Sequence, residues 1–99
     1  MKLTYEEFKK MLGQWGYDVD LHYNRRQVAV IAQDLGAVMG GNTTVATVNK
    51  EHEGWFSMFD VAETPLDIKD WQTICKACQD LATTPLEERG EIKRWWQRL

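Results

Sequence analysis

The hydrophobic period changes once near the start of this chain, and that change sets the fold class. Phe8, Met11, Leu12 and Trp15 recur at i, i+3, i+4 and i+7, the spacing of one helix face. Thr4 and Glu7 stand three apart as a reciprocal capping pair, with Leu3 and Phe8 placed as a hydrophobic staple. Gly16 is the expected stop, in a left-handed conformation. From Tyr17 the period is two. Tyr17, Val19, Leu21 and Tyr23 alternate with Asp18, Asp20, His22 and Asn24, as in a strand with one buried face.

Further strands follow. "NRR" at 24–26 turns the chain into "QVAVIAQ", and residues 34–36 suggest a bulge or kink before 37–39. Gly40, Gly41 and Asn42 supply the positive φ angles of a tight hairpin turn. "TTVATV", the turn "NKEHEG" and "WFSMF" complete an antiparallel meander of three to four strands. Two helices then open alike, with "TPLD" at Thr64 and "TPLE" at Thr84. Each places a capping Thr, a Pro at the first helical position and an acid soon after. The first helix would bury Ile68, Trp71, Ile74, Cys75, Cys78, Leu81 and Ala82; the second would bury Leu86, Ile92, one tryptophan and Leu99. The expected fold is α+β: an N-terminal helix, the meander, and two C-terminal helices packed on one face of the sheet. With 99 residues, it forms one domain.

Charge narrows the function classes. Twelve bases against fifteen acids leave a net charge of −3, unlike a strong, indiscriminate nucleic-acid binder. No apolar run reaches the ~20 residues of a membrane span. Acids stand where a signal peptide would be apolar, so a cytoplasmic protein is expected.

The C-terminal helix segregates its charges, with Glu87, Glu88 and Glu91 early and Lys93, Arg94 and Arg98 late. Such an order satisfies the helix dipole without any partner. Trp95 and Trp96 are adjacent, hence about 100° apart around a helix, and cannot share one core stripe. One is left at the margin beside Arg94 and Arg98, either lying along the sheet edge or forming a contact surface.

"TPLEERGEIKRWWQRL" resembles the C-terminal signature of small uncharacterised proteins of temperate phages and prophages of Gram-positive, especially lactic acid, bacteria. Thr84, Pro85, Glu87, Glu88, Arg89, Lys93, Trp95, Trp96, Arg98 and Leu99 carry the resemblance. That family more often has tyrosines where this chain has tryptophans, and Gly90 is unusual. The resemblance covers about a sixth of the chain. It implies a phage-derived protein of the bacterial cytoplasm, and brings no catalytic residues.

Several groups invite chemistry. Cys75 and Cys78 form a C-x-x-C, but lie more than two turns beyond the expected helix start near Pro65. A redox pair needs its first Cys at a helix N-terminus, and zinc would need His22 and His52 as well. Core packing is therefore expected. Asp18, Asp20 and His22 share a strand face, with Lys50 and Glu51 as partners for a metal-dependent hydrolase; any strand's wet face shows the same pattern. Arg25 and Arg26 at a hairpin tip, with Lys93, could touch phosphates. Phe56 and Met58 lie on the opposite face of "WFSMF" from Trp55 and Phe59, so something covers a second apolar face.

No cofactor is implied. The expectation is a non-enzymatic accessory protein that binds a host or phage protein through Arg94, Trp95, Trp96, Arg98, Phe56 and Met58. A homodimer, a nucleic-acid-binding regulator and a metal-dependent hydrolase stand as alternatives.

Overall fold

A computed structural model describes residues 2–32, 43–59 and 67–90 of the chain. The order is α1 (Tyr5–Gln14), β1 (Tyr17–Asp20), β2 (Gln27–Ala32), β3 (Thr43–Asn49), β4 (Phe56–Met58) and α2 (Ile68–Thr83), then a 3-10 turn over Leu86–Glu88. The fold is α+β.

The first helix starts as its sequence dictates. Thr4 Oγ1 accepts from the Glu7 N–H at 3.1 Å, and Glu7 Oε1 accepts from the Thr4 N–H at 3.0 Å. The reciprocal pair fills two of the four donors every helix N-terminus leaves open. Gly16 ends the segment at φ +90°. The buried stripe lies one turn earlier than the sequence suggests: Tyr5, Phe8 and Leu12 are buried. Trp15 is only the cap residue, past the last helical turn, and is 57% exposed.

The four strands form one antiparallel meander in the order β1-β2-β3-β4. Register puts Val19 beside Val30, Val30 beside Ala46, Val28 beside Val48, and Ala46 and Val48 beside Met58 and Phe56. That row is one face of the sheet. The pairing slips between Val30 and Ile31, so that Val45 is an extra residue in β3, and Val45 and Ala46 both enter the core. α1 lies against β1, and α2 against β3 and β4. Their inner residues, Phe8 and Leu12 from α1 and Ile74, Ala77, Cys78, Leu81 and Ala82 from α2, complete the core. Each fully buried Val or Leu contributes about 1.5–3 kcal/mol.

β1 is shorter than its alternation suggests. Asp20 Oδ1 accepts from the His22 N–H at 2.9 Å, and this side-chain turn diverts the chain. A second turn follows, in which Asn24 Oδ1 accepts from the Arg26 N–H at 2.8 Å. The turn expected at Gly40, Gly41 and Asn42 and the kink at 34–36 lie outside the described residues.

The C-terminal half departs from expectation in two ways. α2 begins at Ile68 with Asp67 at its cap position, while Thr64 and Pro65 lie outside the described residues. Ile68 is 63% exposed, and Ala77 takes a place in the core instead. Thr84 does not open a helix. It closes α2, where its Oγ1 accepts from the Leu3 N–H at 2.9 Å and donates to the Asp80 carbonyl at 2.7 Å. Beyond it, the described chain holds one 3-10 turn, after which Gly90 has φ +86°. The rest of the expected last helix, with Lys93, Arg94, Trp95, Trp96 and Arg98, lies outside the described residues.

Arg89 follows that turn and is fully buried. Its Nε donates to the Thr84 carbonyl at 2.9 Å, Nη2 to Ala82 at 2.8 Å, and Nη1 to Asn49 at 2.7 Å and the Tyr5 hydroxyl at 3.5 Å. Its own carbonyl accepts from the Tyr5 N–H at 2.8 Å. Its hydrogen-bond acceptors are carbonyls and a hydroxyl. Two of those carbonyls close α2, at the negative end of the helix dipole, which offsets part of the cost of burying the charge.

Candidate functional site

The face of the sheet turned away from α1 and α2 carries an open trough at one end. Gln27 in β2 pairs with Asn49 in β3, and the Asn49 N–H donates to the Trp55 carbonyl at 2.9 Å. Gln27, Asn49 and Trp55 therefore form a row across three neighbouring chain segments. A hollow of about 380 Å³ lies over this row, with Thr47 and Ser57 in its lining. A second hollow of about 470 Å³ adjoins it through Gln27 and Asn49, and is bounded by Asn24, Arg25 and Arg26.

Local chemistry fixes this shape. Asn24 Nδ2 donates to Gln27 Oε1 at 2.9 Å, and Gln27 Nε2 donates to Thr47 Oγ1 at 3.3 Å, so the Gln27 amide lies across β3. The Lys50 N–H donates to the Arg26 carbonyl at 2.7 Å, and Lys50 Nζ to the Asn24 carbonyl at 3.0 Å. These bonds tie the β1–β2 tip to the β3–β4 loop. In that loop, Asn49 Oδ1 accepts from the N–H groups of Glu51 and His52 at 2.7 and 2.9 Å. Gly54, at φ +81°, returns the chain to β4.

Trp55 stands at the trough's rim. It is 59% exposed, and the His52 ring stacks on it with centroids 4.2 Å apart and planes 27° apart. A large ring kept this open to water is held out by the loop, not drawn in by the core. The loop is anchored from below: the Gly54 N–H donates to the Ala82 carbonyl at 2.7 Å, Glu53 Oε1 accepts from the Leu86 N–H at 3.2 Å, and Arg89 holds the Asn49 carbonyl. Thr84 to Arg89 thus brace the loop that presents Trp55.

The other sequence candidates separate. Phe56 and Met58 are half-buried on the core side, packed against the hydrophobic cluster, so the exposed aromatics of "WFSMF" are Trp55 and Phe59. Alternation identifies the two faces; packing against the core cluster puts Phe56 and Met58 on the helix side. Arg25 and Arg26 are exposed beside the trough, and neither guanidinium makes a hydrogen bond or ion pair among the described residues.

Asp18, Asp20 and His22 do not form the row that a longer β1 would make. Asp18 Oδ1 accepts from the Val19 N–H at 3.0 Å, Asp20 Oδ1 serves the turn, and His22 lies beyond the strand. No group of three His, Cys, Asp or Glu among the described residues is placed to hold a metal ion, with Lys50 and Glu51 in the other hairpin loop.

Cys75 and Cys78 are free thiols in α2, seven and ten residues after Ile68. Burial, and then the neighbouring Cys75, push the Cys78 thiol up to about 12. That is the reverse of what a reactive pair needs. Tyr17, whose hydroxyl donates to Asp70 Oδ2 at 2.9 Å, is also raised to about 12, first by burial and then by Asp70 and Asp67.

No helix among the described residues is long and apolar enough to cross a membrane. Comparison with protein families, with curated proteins and with solved structures finds no match to this chain.

Proposed function

We propose that this chain is a non-catalytic accessory protein of a temperate phage or prophage, acting in the bacterial cytoplasm by holding a host or phage protein. The observation that carries this reading is Trp55, more than half exposed on a braced loop at the rim of a polar trough. Tryptophan and arginine dominate the energetics of protein interfaces, and both stand here without a core to fill. The last helix expected from the sequence, with Arg94, Trp95, Trp96 and Arg98, belongs to the same reading as a further contact.

Capture from lysate of a Gram-positive host, with and without nuclease, tests it. A stoichiometric protein should survive nuclease and be lost from the Trp55→Ala variant. Capture of the chain alone would make the surface a homodimer contact and contradict the reading.

A nucleic-acid-binding regulator is the second reading, favoured by Arg25 and Arg26 beside an exposed aromatic ring. Single strands are held by a basic track with stacked bases. Steep loss of binding with salt would favour it, because each phosphate contact releases counterions.

A further inference from the structure

The trough has a charge pattern that its occupant must match. Arg25 and Arg26, both exposed, line its end at the β1–β2 tip. Asn49 Oδ1 is occupied by two backbone N–H groups, which leaves the Nδ2 donor of that amide unused among the described residues. The other end presents the flat, apolar ring of Trp55. Positive charge, including Lys50 Nζ on the Asn24 carbonyl, thus gathers at one end, with an aromatic ring at the other.

We infer that this trough takes an extended acidic segment of a partner protein, a carboxylate gripped by Arg25 and Arg26 while an apolar side chain lies on Trp55. The inference rests on the protein-binding reading and names the chemistry of the partner. Guanidinium groups match carboxylates in a two-pronged geometry. A polynucleotide fits less well. It carries a phosphate at every step, and this chain has a net charge of −3, with cations, among the described residues, only at one end of the trough. A peptide carries charge only where its sequence puts it.

The register also sets a spacing. Gln27 and Trp55 lie two inter-strand steps apart, roughly 10 Å, and the arginines lie just beyond Gln27. An extended chain advances about 3.3 Å per residue and turns alternate side chains to the same side. The acid and the apolar residue should therefore stand about four positions apart.

The test is a selection of random peptides, about twelve residues long, displayed against the folded full chain. Retained peptides are then measured by fluorescence polarisation beside a fluorescent oligothymidylate. The selected pool should be enriched in Asp or Glu, with an aromatic or large aliphatic residue about four positions away. Arg25→Glu and Trp55→Ala should each weaken these peptides by about tenfold or more. Trp15→Ala, which removes a similarly exposed ring just past the end of α1, should change nothing. Melting curves confirm that each variant is folded.

Selected peptides without acids, sensitive to Trp55→Ala but not to Arg25→Glu, would overturn this inference and leave the protein-binding reading standing. No selected peptide at all would overturn it too, and capture from lysate then decides the protein-binding reading separately. Oligothymidylate bound with the same dependence on Arg25 and Trp55 would overturn both.

Discussion

Arg89 Nη1 donates to the Asn49 carbonyl across 2.7 Å, joining a fully buried guanidinium to the last residue of β3. Asn49 then holds Glu51 and His52 through its side chain, and His52 stacks on Trp55. Through Asn49, one buried cation therefore governs the pose of a surface ring, Trp55, that lies thirty-four residues earlier in the sequence.

Arg89→Met keeps the volume and removes every donor. It leaves the carbonyls of Asn49, Ala82 and Thr84 without that partner, each costing about 1–3 kcal/mol if it stays buried and unpaired. Recovered desolvation of the charge offsets part of this, so a net loss of about 3 kcal/mol is expected. For a domain this size, that lowers Tm by roughly 10 °C or more. Thermal melting checks it; an unchanged Tm would show that Arg89 is not the brace.

Thr84 joins the start of the chain to the end of α2 through one oxygen. Thr84→Val is nearly isosteric and strands the Leu3 N–H, so a loss of about 1–3 kcal/mol is expected. Thr84→Ser keeps the oxygen and should cost much less. Denaturant midpoints for the two variants test the ordering.

Tyr17 makes stability pH-dependent in the alkaline range. Its hydroxyl titrates near 10 in the unfolded chain and about 12 in the folded one, so the unfolded state loses its proton first. The contribution is complete below pH 10 and is lost as pH rises through 12. Cys78 adds a loss of the same sign between 9 and about 12. Tyr17→Phe should flatten the fall in Tm over that interval. An equally steep fall would remove Tyr17 from the account.

The two thiols should differ in reactivity at pH 8. Cys75 is partly exposed and should be alkylated by iodoacetamide in the native protein, whereas buried Cys78 should react only on unfolding. Mass spectrometry of Cys75→Ala and Cys78→Ala distinguishes them, and fast alkylation of Cys78 would contradict its placement.

What could be read from the sequence was local. The Thr4–Glu7 pair, the stop at Gly16 and the period-two strands are short-range relations, and each is present in the fold. Where a competing local bond existed, the pattern misled: Asp20 captures the His22 N–H, and β1 ends before its alternation does. Thr84 has the composition of a helix start, yet the Leu3 N–H and the Asp80 carbonyl claim its hydroxyl. Arg89 sits in the polar run "LEERG", and nothing nearby announces its burial. Its partners come together only when α2 ends beside Asn49. The candidate site was half legible. Arg25, Arg26 and the two faces of "WFSMF" could be read from the sequence; the trough that joins Arg26 to Trp55 exists only through strand register.

The most direct test of Trp55 as the working surface is position-specific photocrosslinking in host lysate. A benzophenone amino acid replaces Trp55 in one sample and Trp15 in another, two rings of nearly equal exposure, 59% and 57%, on different elements. Position 55 should give one discrete, nuclease-resistant crosslinked protein, and position 15 none. Crosslinks from position 15 alone, or from position 55 only to a second copy of the chain, would contradict it.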